Sequence, residues 1–456
     1  MSAGGRRLRV VQVSSADRRG GAEQVAWNLF DALRARGHAS WLAVGEKLGS
    51  DPDVFPLPNE SSRSGWSRFW RRLADEHESS SERRNGSPFR RIAGALADPT
   101  ARLDYYLGRE DFRFPGTRRL LALTPEKPDL VHLHNLHGGY FDLRLLPWLS
   151  GRSPLVLTLH DAWLLSGHCA HSLDCERWRS GCGDCPDLSL YPAVRMDSTA
   201  GNWQRKRRIF AESRLHIATP SRWLMDMVEH SILAPGIVDT RVIPNGVDIS
   251  LFRPGDRRAA RASLGLPPDT PLLLTTGIAL GRNDWKDVAT LRASLLDLAQ
   301  AWPGTSATLV VLGTEEGDVP LPGALDVRFA GFEQDPATVA EYYRAADIYV
   351  HASRADTFPL SVLEALASGT PVIASSVGGI PEQIEDGQHG FLVPPGDHRR
   401  LAAAIARLLD DEDARTRMAS EGLHRAQERF DLERQVAAYV DWYGALLEEE
   451  RHTVAA

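Results

Sequence analysis

Cysteine is scarce in this 456-residue chain, with four residues, all between Cys169 and Cys185. That is too few for a disulfide framework. Long apolar runs are lacking as well, and none reaches the length of a membrane-spanning helix. There is no basic excess: 53 Lys plus Arg stand against 60 Asp plus Glu, a net charge of −7. No nucleic-acid partner is expected from that balance. The glycines after the first apolar run do not complete G-x-G-x-x-G, so a dinucleotide fold cannot be read from them alone. The opening MSAGGRRLRVVQVSS passes directly from basic residues into a strand pattern. This predicts no signal peptide and the cytoplasm as the default compartment.

What is present is a globular balance, 43% hydrophobic and 25% charged, over a length that suits two domains. Leu8–Ser14 reads as a strand, Asp17–Gly21 as a tight loop, Ala22–Arg36 as an amphipathic helix and Ser40–Val44 as a second strand. This β-loop-α-β opening fits a doubly wound domain. Gly20 and Gly21 free the backbone to approach a ligand, or simply make a turn. Pro128–Asn135 reads as a buried strand that breaks into polar residues, and Pro154–Leu159 followed by His160-Asp161 repeats it, which places His134 and His160 at the carboxyl rim of a parallel sheet. A second strand series begins at Leu272–Thr276, with Arg282 and Lys286 in the loop that follows. It continues at Thr308–Leu312, Val327–Ala330 and Asp347–Val350. Then comes the stretch that organises the chain, ADTFPLSVLEALASGTPVIASSVGGIPEQIEDGQHGFLVPP, from Ala355 to Pro395. It reads as loop, helix, buried strand and loop. Lys286, Arg282 and the N–H groups of Phe358 to Ser361 form a candidate diphosphate cradle. Glu364 is placed to accept from ribose hydroxyls and Asp356 to meet sugar hydroxyls.

Two stretches stand apart. Residues 63–119 hold 13 Arg against 8 acidic residues and include Trp66, Phe69 and Trp70. They read either as a solvated helical insertion, with a mobile loop around Asn85, or as a patch that rests on an anionic membrane. The cysteines have the spacing C-x5-C-x6-C-x2-C. A structural zinc held by Cys169, Cys175, Cys182 and Cys185 is expected, with disulfides, free thiols or an iron–sulfur cluster as alternatives.

The motifs together resemble the retaining GT-B glycosyltransferases of the family 4 type. The resemblance rests on Asp356-x7-Glu364, Ala367-Ser-Gly369-Thr-Pro371-Val372, Gly378-Gly379-Ile380-Pro381-Glu382 and Gly387-x-x-Gly390-Phe391-Leu392-Val393. Gly20-Gly21-Ala22-Glu23, the two strand-end histidines and Asn245-Gly246-Val247-Asp248 add to it. It implies an α/β fold of two Rossmann-like doubly wound domains facing across a cleft. Residues 1–244 would form the acceptor-side domain, with an insertion at 60–119 and a cysteine loop at 167–187. Residues 245–430 would bind the nucleotide sugar, and 431–456 would form a terminal helix crossing back.

The resemblance also implies roles. Glu364 would hold the ribose, Asp356 the donor sugar, and Phe358, Pro359 and Leu360 the sugar and phosphate. Lys286, and by a looser match Arg282, would meet the diphosphate. His160 would lie beneath the donor sugar, Gly20 and Gly21 near phosphate and acceptor, and Gly331 and Phe332 near the base. The implied donor is a UDP- or GDP-sugar, with no catalytic metal required, since no D-x-D lies near the site. The implied acceptor is a glycan, a lipid-linked sugar or a small molecule, in envelope polysaccharide or glycolipid synthesis at the inner face of the membrane. Decoration of a secondary metabolite, a sugar epimerase or phosphorylase-like enzyme, and a catalytically silent partner protein are the alternatives. The family's first acidic residue is Glu, so Asp356 is a departure.

Overall fold

The computed structural model describes residues 7–76, 88–277, 280, 285–301, 307–315 and 326–455. The chain divides into two compact units. Unit 1 comprises Met1–Ala218, Met225–Arg241 and Trp442–Ala456, and unit 2 comprises Thr219–Leu224 and Val242–Asp441.

Unit 1 is built on β1 (Arg9–Ala16), β2 (Ala39–Glu46), β3 (Val54–Pro56), β4 (Leu130–His134), β5 (Leu155–Thr158), β6 (Leu215–Thr219) and β7 (Ile237–Val242). Their order in the sheet is β3-β2-β1-β4-β5-β6-β7. The pairs from β3 through to β6 are parallel. Strands buried on both faces read as near-continuous apolar runs, as in β5 (LVLT), while β4 (LVHLH) also buries His132 and His134. The helix Gly21–Ala35 packs Val25, Ala26, Leu29, Phe30 and Leu33 inward at helical spacing.

Unit 2 carries β8 (Leu272–Thr276), β9 (Thr308–Leu312), β10 (Asp326–Ala330), β11 (Ile348–His351), β12 (Val372–Ser375) and β13 (Gly390–Val393), in the order β10-β9-β8-β11-β12-β13. All five pairings are parallel. Both sheets therefore reverse direction once, unit 1 between β1 and β4, unit 2 between β8 and β11. Ligands of doubly wound sheets bind outside the strand carboxyl ends at such points.

Several elements differ from the sequence reading. The first helix starts at Gly21, so that glycine belongs to the helix and not to the loop. The β11 strand runs one residue further, to His351. The terminal helix extends from Leu432 to Ala455, and from Trp442 onward it belongs to unit 1. There the Tyr443 hydroxyl bonds His132 Nδ1 at 2.7 Å and Trp442 Nε1 donates to Asp239 at 2.8 Å. The Arg-rich insertion forms three helices, Gly65–Glu76, Pro88–Ala97 and Pro99–Tyr106. The stretch around Asn85 lies outside the described residues, as does Arg282.

Candidate active site

The focal segment of unit 2 is fixed by close packing. Gly378 has φ +55°, and a Cβ there would stand 1.8 Å from the Asp356 carbonyl oxygen. A Cβ on Gly379 would stand 1.9 Å from the Thr357 oxygen. The glycine pair thus lets two loops touch, a role only glycine fills at that distance. Asn245 Nδ2 donates to the Phe358 carbonyl and Gln383 Nε2 to that of Pro359, each at 3.0 Å. Pro359 then occupies the N-cap of the helix Leu360–Ala367. The first turn of that helix leaves backbone N–H groups without helical partners, and they carry the positive end of the helix dipole.

At the carboxyl ends of β8 and β11 three chemical groups meet. Lys286 Nζ lies 3.1 Å from Asp356 Oδ2, and His351 Nε2 lies 3.2 Å from the same oxygen. Lys286 is brought there by a bridge to Ser353 and by Arg354 N–H donating to Trp285 O at 2.7 Å. The Tyr349 hydroxyl contacts His351 Nδ1 at 3.1 Å and Thr276 Oγ1 at 2.8 Å. One proton pattern satisfies this chain. Thr276 donates to Tyr349, Tyr349 donates to Nδ1, and Nε2–H donates to Asp356. Burial, reinforced by the Lys286 ammonium, lowers the His351 pKa and keeps the ring neutral. Burial alone would raise the Asp356 pKa, but Lys286 and His351 outweigh it and hold the carboxyl well below its usual range. The short aspartate is therefore engaged by a cation and an imidazole at once.

Glu364 lies on the helix Leu360–Ala367 and accepts from the Tyr343 hydroxyl at 2.7 Å. Burial pushes its pKa up to about 7, against that hydrogen bond. Gly331 and Phe332 follow edge strand β10. A Cβ on Gly331 would meet Glu315 at 2.3 Å, and Phe332 is 54% exposed. Glu382 does not contribute a carboxylate to the sheet rim. Its two oxygens accept from the N–H groups of Arg222 and Trp223, both at 2.8 Å.

In unit 1 the histidines at the strand ends are linked. With the Gln12 amide turned so that its nitrogen donates to Ala26 O and His134 Nε2 (3.2 and 3.1 Å), its oxygen accepts from Phe30 N–H at 2.9 Å. His134 Nδ1–H then donates to His160 Nε2 at 3.1 Å, which leaves the His160 proton on Nδ1. Burial depresses both rings, His160 to about 4, so both are neutral near pH 7. Gly20 caps the helix Gly21–Ala35, its N–H donating to Glu23 Oε2 at 3.1 Å. A Cβ on Gly21 would meet nothing within 4 Å.

The expected zinc clasp is not assembled. Cys169, Cys175, Cys182 and Cys185 are free thiols, and among the described residues no group of three or more His, Cys, Asp or Glu is placed to hold a metal ion. Burial pushes the Cys169 and Cys182 thiols up to about 11. The loop is tied down by other bonds. Lys206 Nζ reaches Glu110 at 2.7 Å and the carbonyls of Trp163 and Ser166 at 2.9 and 3.1 Å. Asp197 accepts from Cys185 N–H at 2.7 Å.

His351, Tyr349, Tyr343 and the pair His137–Asp161 were not singled out from sequence. His351 carried the same signal as His134, a polar residue closing a buried strand.

Known proteins bear on these two sites. Residues 19–251 match the family described as Glycosyltransferase Family 4, and residues 271–411 match Glycosyl transferases group 1. D-inositol 3-phosphate glycosyltransferase 2 of Catenulispora acidiphila is 36% identical over 360 residues, 76% of this chain and 79% of the relative. A D-inositol 3-phosphate glycosyltransferase of Thermobispora bispora is 31% identical over 356 residues, 74% and 76% of the two chains. Among solved structures, sucrose-phosphate synthase from Thermosynechococcus elongatus aligns with TM-score 0.64 at 20% identity, covering 97% of this chain and 100% of its own. Anabaena HepE in complex with UDP-glucose aligns with TM-score 0.60 at 18% identity, covering 98% and 100%. These structural likenesses show the GT-B fold. The chain belongs to the family 4 glycosyltransferases and is a glycosyltransferase.

Proposed function

We propose that this enzyme transfers a sugar from a UDP- or GDP-sugar to an acceptor hydroxyl with retention of configuration. The observation that carries the reading is the Lys286–Asp356–His351 cluster beside the N-terminus of the helix Leu360–Ala367. An ammonium and a set of free N–H groups suit a diphosphate, and they stabilise the charge that grows as it leaves. Lys286 keeps a donor for a phosphate oxygen while it binds Asp356. Asp356 and the amides of Phe358 to Leu360 hold the sugar. Glu364, steadied by Tyr343, accepts from the ribose. Phe332 offers an exposed ring to the base. Gly21, where a Cβ would meet nothing within 4 Å, leaves room for phosphate at a second helix N-terminus beside Gly20, and the neutral His160 supplies a hydrogen bond to the donor sugar. In this scheme the acceptor oxygen bonds to the anomeric carbon as the bond to the diphosphate breaks. The departing phosphate takes the acceptor's proton. A structural neighbour supports the donor class, since HepE was solved in complex with UDP-glucose.

A glycan or lipid-linked acceptor, and a resting place on an anionic membrane, belong to the same proposal. They are supported by exposed Trp66, Phe69, Ile92 and Leu96 on two helices of the Arg-rich insertion.

The test is a thermal-shift screen against UDP, GDP and their common sugars, followed by donor consumption with acceptor. One nucleotide is expected to raise Tm. Lys286→Met is expected to remove most of that shift and to lower kcat by about a hundredfold or more. A wild-type shift and turnover in Lys286→Met would discard the diphosphate role. Donor consumption that needs no acceptor would favour an epimerase.

A further inference from the structure

Asp356 is held through one oxygen only. Lys286 Nζ and His351 Nε2 both bond Oδ2, at 3.1 and 3.2 Å, and lie 3.3 Å from each other. Among the described residues Oδ1 has no hydrogen-bond partner.

The two partners of Oδ2 are unlike. Lys286 is a point charge on a flexible stem, and a bound diphosphate competes for it. The same diphosphate repels the Asp356 carboxylate. His351 stands outside that competition. Its side chain is 1% exposed. Asp356 favours an imidazolium there, but burial and the Lys286 ammonium outweigh it, so the ring stays neutral at neutral pH.

The imidazole is also held from behind. The Tyr349 hydroxyl meets Nδ1 at 3.1 Å and Thr276 Oγ1 at 2.8 Å, and Ser361 Oγ stands 3.5 Å from the same nitrogen. The Tyr349 ring is fully buried and packs against Tyr343 and His351, with centroids 5.5 and 6.0 Å away. Thr276, Tyr349 and His351 all belong to β8 and β11, which pair directly. Lys286 and Asp356 lie outside the named strands. The imidazole is therefore placed by the sheet, and a group on a strand is held more precisely than one on a loop.

This arrangement also bears on the aspartate that stands where the family has glutamate. With Nζ and Nε2 already in contact with Oδ2, a side chain one methylene longer on the same course would run into both. Aspartate and histidine thus fit each other.

We propose that His351 is a positioning residue: it keeps the Asp356 carboxylate in place while the donor diphosphate draws on Lys286, so that Oδ1 accepts from a hydroxyl of the donor sugar. Tyr349 and Thr276 support it from behind. The inference rests on the nucleotide-sugar reading above, and adds to it the group that holds the sugar-binding carboxylate.

The test is isothermal titration calorimetry on the full chain with UDP, GDP, UDP-glucose and GDP-mannose, which needs no acceptor. His351→Phe keeps a buried ring and removes the N–H. It is expected to weaken binding of the sugar nucleotide about tenfold and to leave binding of the matching nucleoside diphosphate within about twofold. His351→Gln returns an N–H donor and is expected to recover most of the loss. Tyr349→Phe leaves the imidazole in place without its support, and is expected to weaken sugar-nucleotide binding about threefold. A merely structural role would lower both affinities together and would not be rescued by glutamine. Wild-type sugar-nucleotide affinity in His351→Phe, an equal loss for the bare nucleoside diphosphate, or no recovery in His351→Gln overturns the proposal. A failure of the donor reading shows separately, as the absence of binding by all four ligands in the wild type, and removes this role with it.

Discussion

A carboxylate with little water around it resists ionisation, and Glu364 is the clearest case here. Its pKa is pushed from 4.5 to about 7 by burial. Between those values the folded chain holds a proton that the unfolded chain has released, so stability falls as pH rises through that window. Glu364→Gln removes the penalty and keeps an oxygen for the Tyr343 hydroxyl. Without nucleotide, the variant is expected to be more stable than wild type at pH 8 by roughly 1–3 kcal/mol, the Glu364 side chain being only partly screened by water. Near pH 4.5 the two should unfold alike. Urea titrations at the two pH values check this, and equal stability at pH 8 would contradict it. The same carboxyl should make donor affinity pH-dependent in the wild type and less so in the variant. Asp356 shows the opposite outcome on the same helix approach, because Lys286 and His351 outweigh its burial. Two carboxyls eight residues apart are thus set to different charge states by their neighbours, which no residue count reveals.

Elements whose physics is local were legible, and those that depend on distant partners were not. Buried parallel strands announce themselves as apolar runs, so β8 and β9 match their expected bounds. The Gly378-Gly379 pair was read as a loop feature. Its reason is contact with the Asp356–Thr357 backbone, which requires both loops to be in place. Glu382, legible only as the end of a G-G-x-P-E motif, caps N–H groups 159 and 160 residues earlier in the chain. The cysteine spacing was compatible with zinc, but spacing does not fix where a loop with little regular structure places its sulfurs. A comparison of two glycines tests the packing argument. Gly378→Ala meets both a positive φ and a carbonyl 1.8 Å away, whereas Gly387 has φ +78° and open space around it. Gly387→Ala is expected to cost about 1 kcal/mol. Gly378→Ala should cost at least about 2–4 kcal/mol and lower kcat as well, because relief of the clash moves Asp356. Similar losses in both, read from denaturant midpoints, would remove the contact from the explanation.

At the scale of the whole molecule, charge and apolar exposure are unevenly distributed. The chain carries −7 overall, yet residues 63–119 carry +5. Trp66 and Phe69 lie on one face of the helix Gly65–Glu76, with exposed Arg68 and Arg72 on the same helix. Trp66 Nε1 donates to the Leu96 carbonyl at 2.8 Å, which brings Ile92 and Leu96 of the next helix alongside. The four apolar side chains are 38–61% exposed. No helix among the described residues is long and apolar enough to cross a membrane, so attachment through this patch would be peripheral. Amphipathic surfaces of this kind bind by apolar insertion together with attraction to anionic lipid, and the second contribution fades with salt. The protein is therefore expected to cosediment with vesicles containing about a third phosphatidylserine or phosphatidylglycerol, and far less with pure phosphatidylcholine. Raising the salt to about 0.5 M should release much of it. Trp66→Glu with Phe69→Glu should abolish binding while leaving the nucleotide-induced Tm shift in place, because neither residue belongs to the proposed donor site. Equal binding to neutral and anionic vesicles would reject the electrostatic half of the argument. Unchanged binding of the double variant would reject the patch itself.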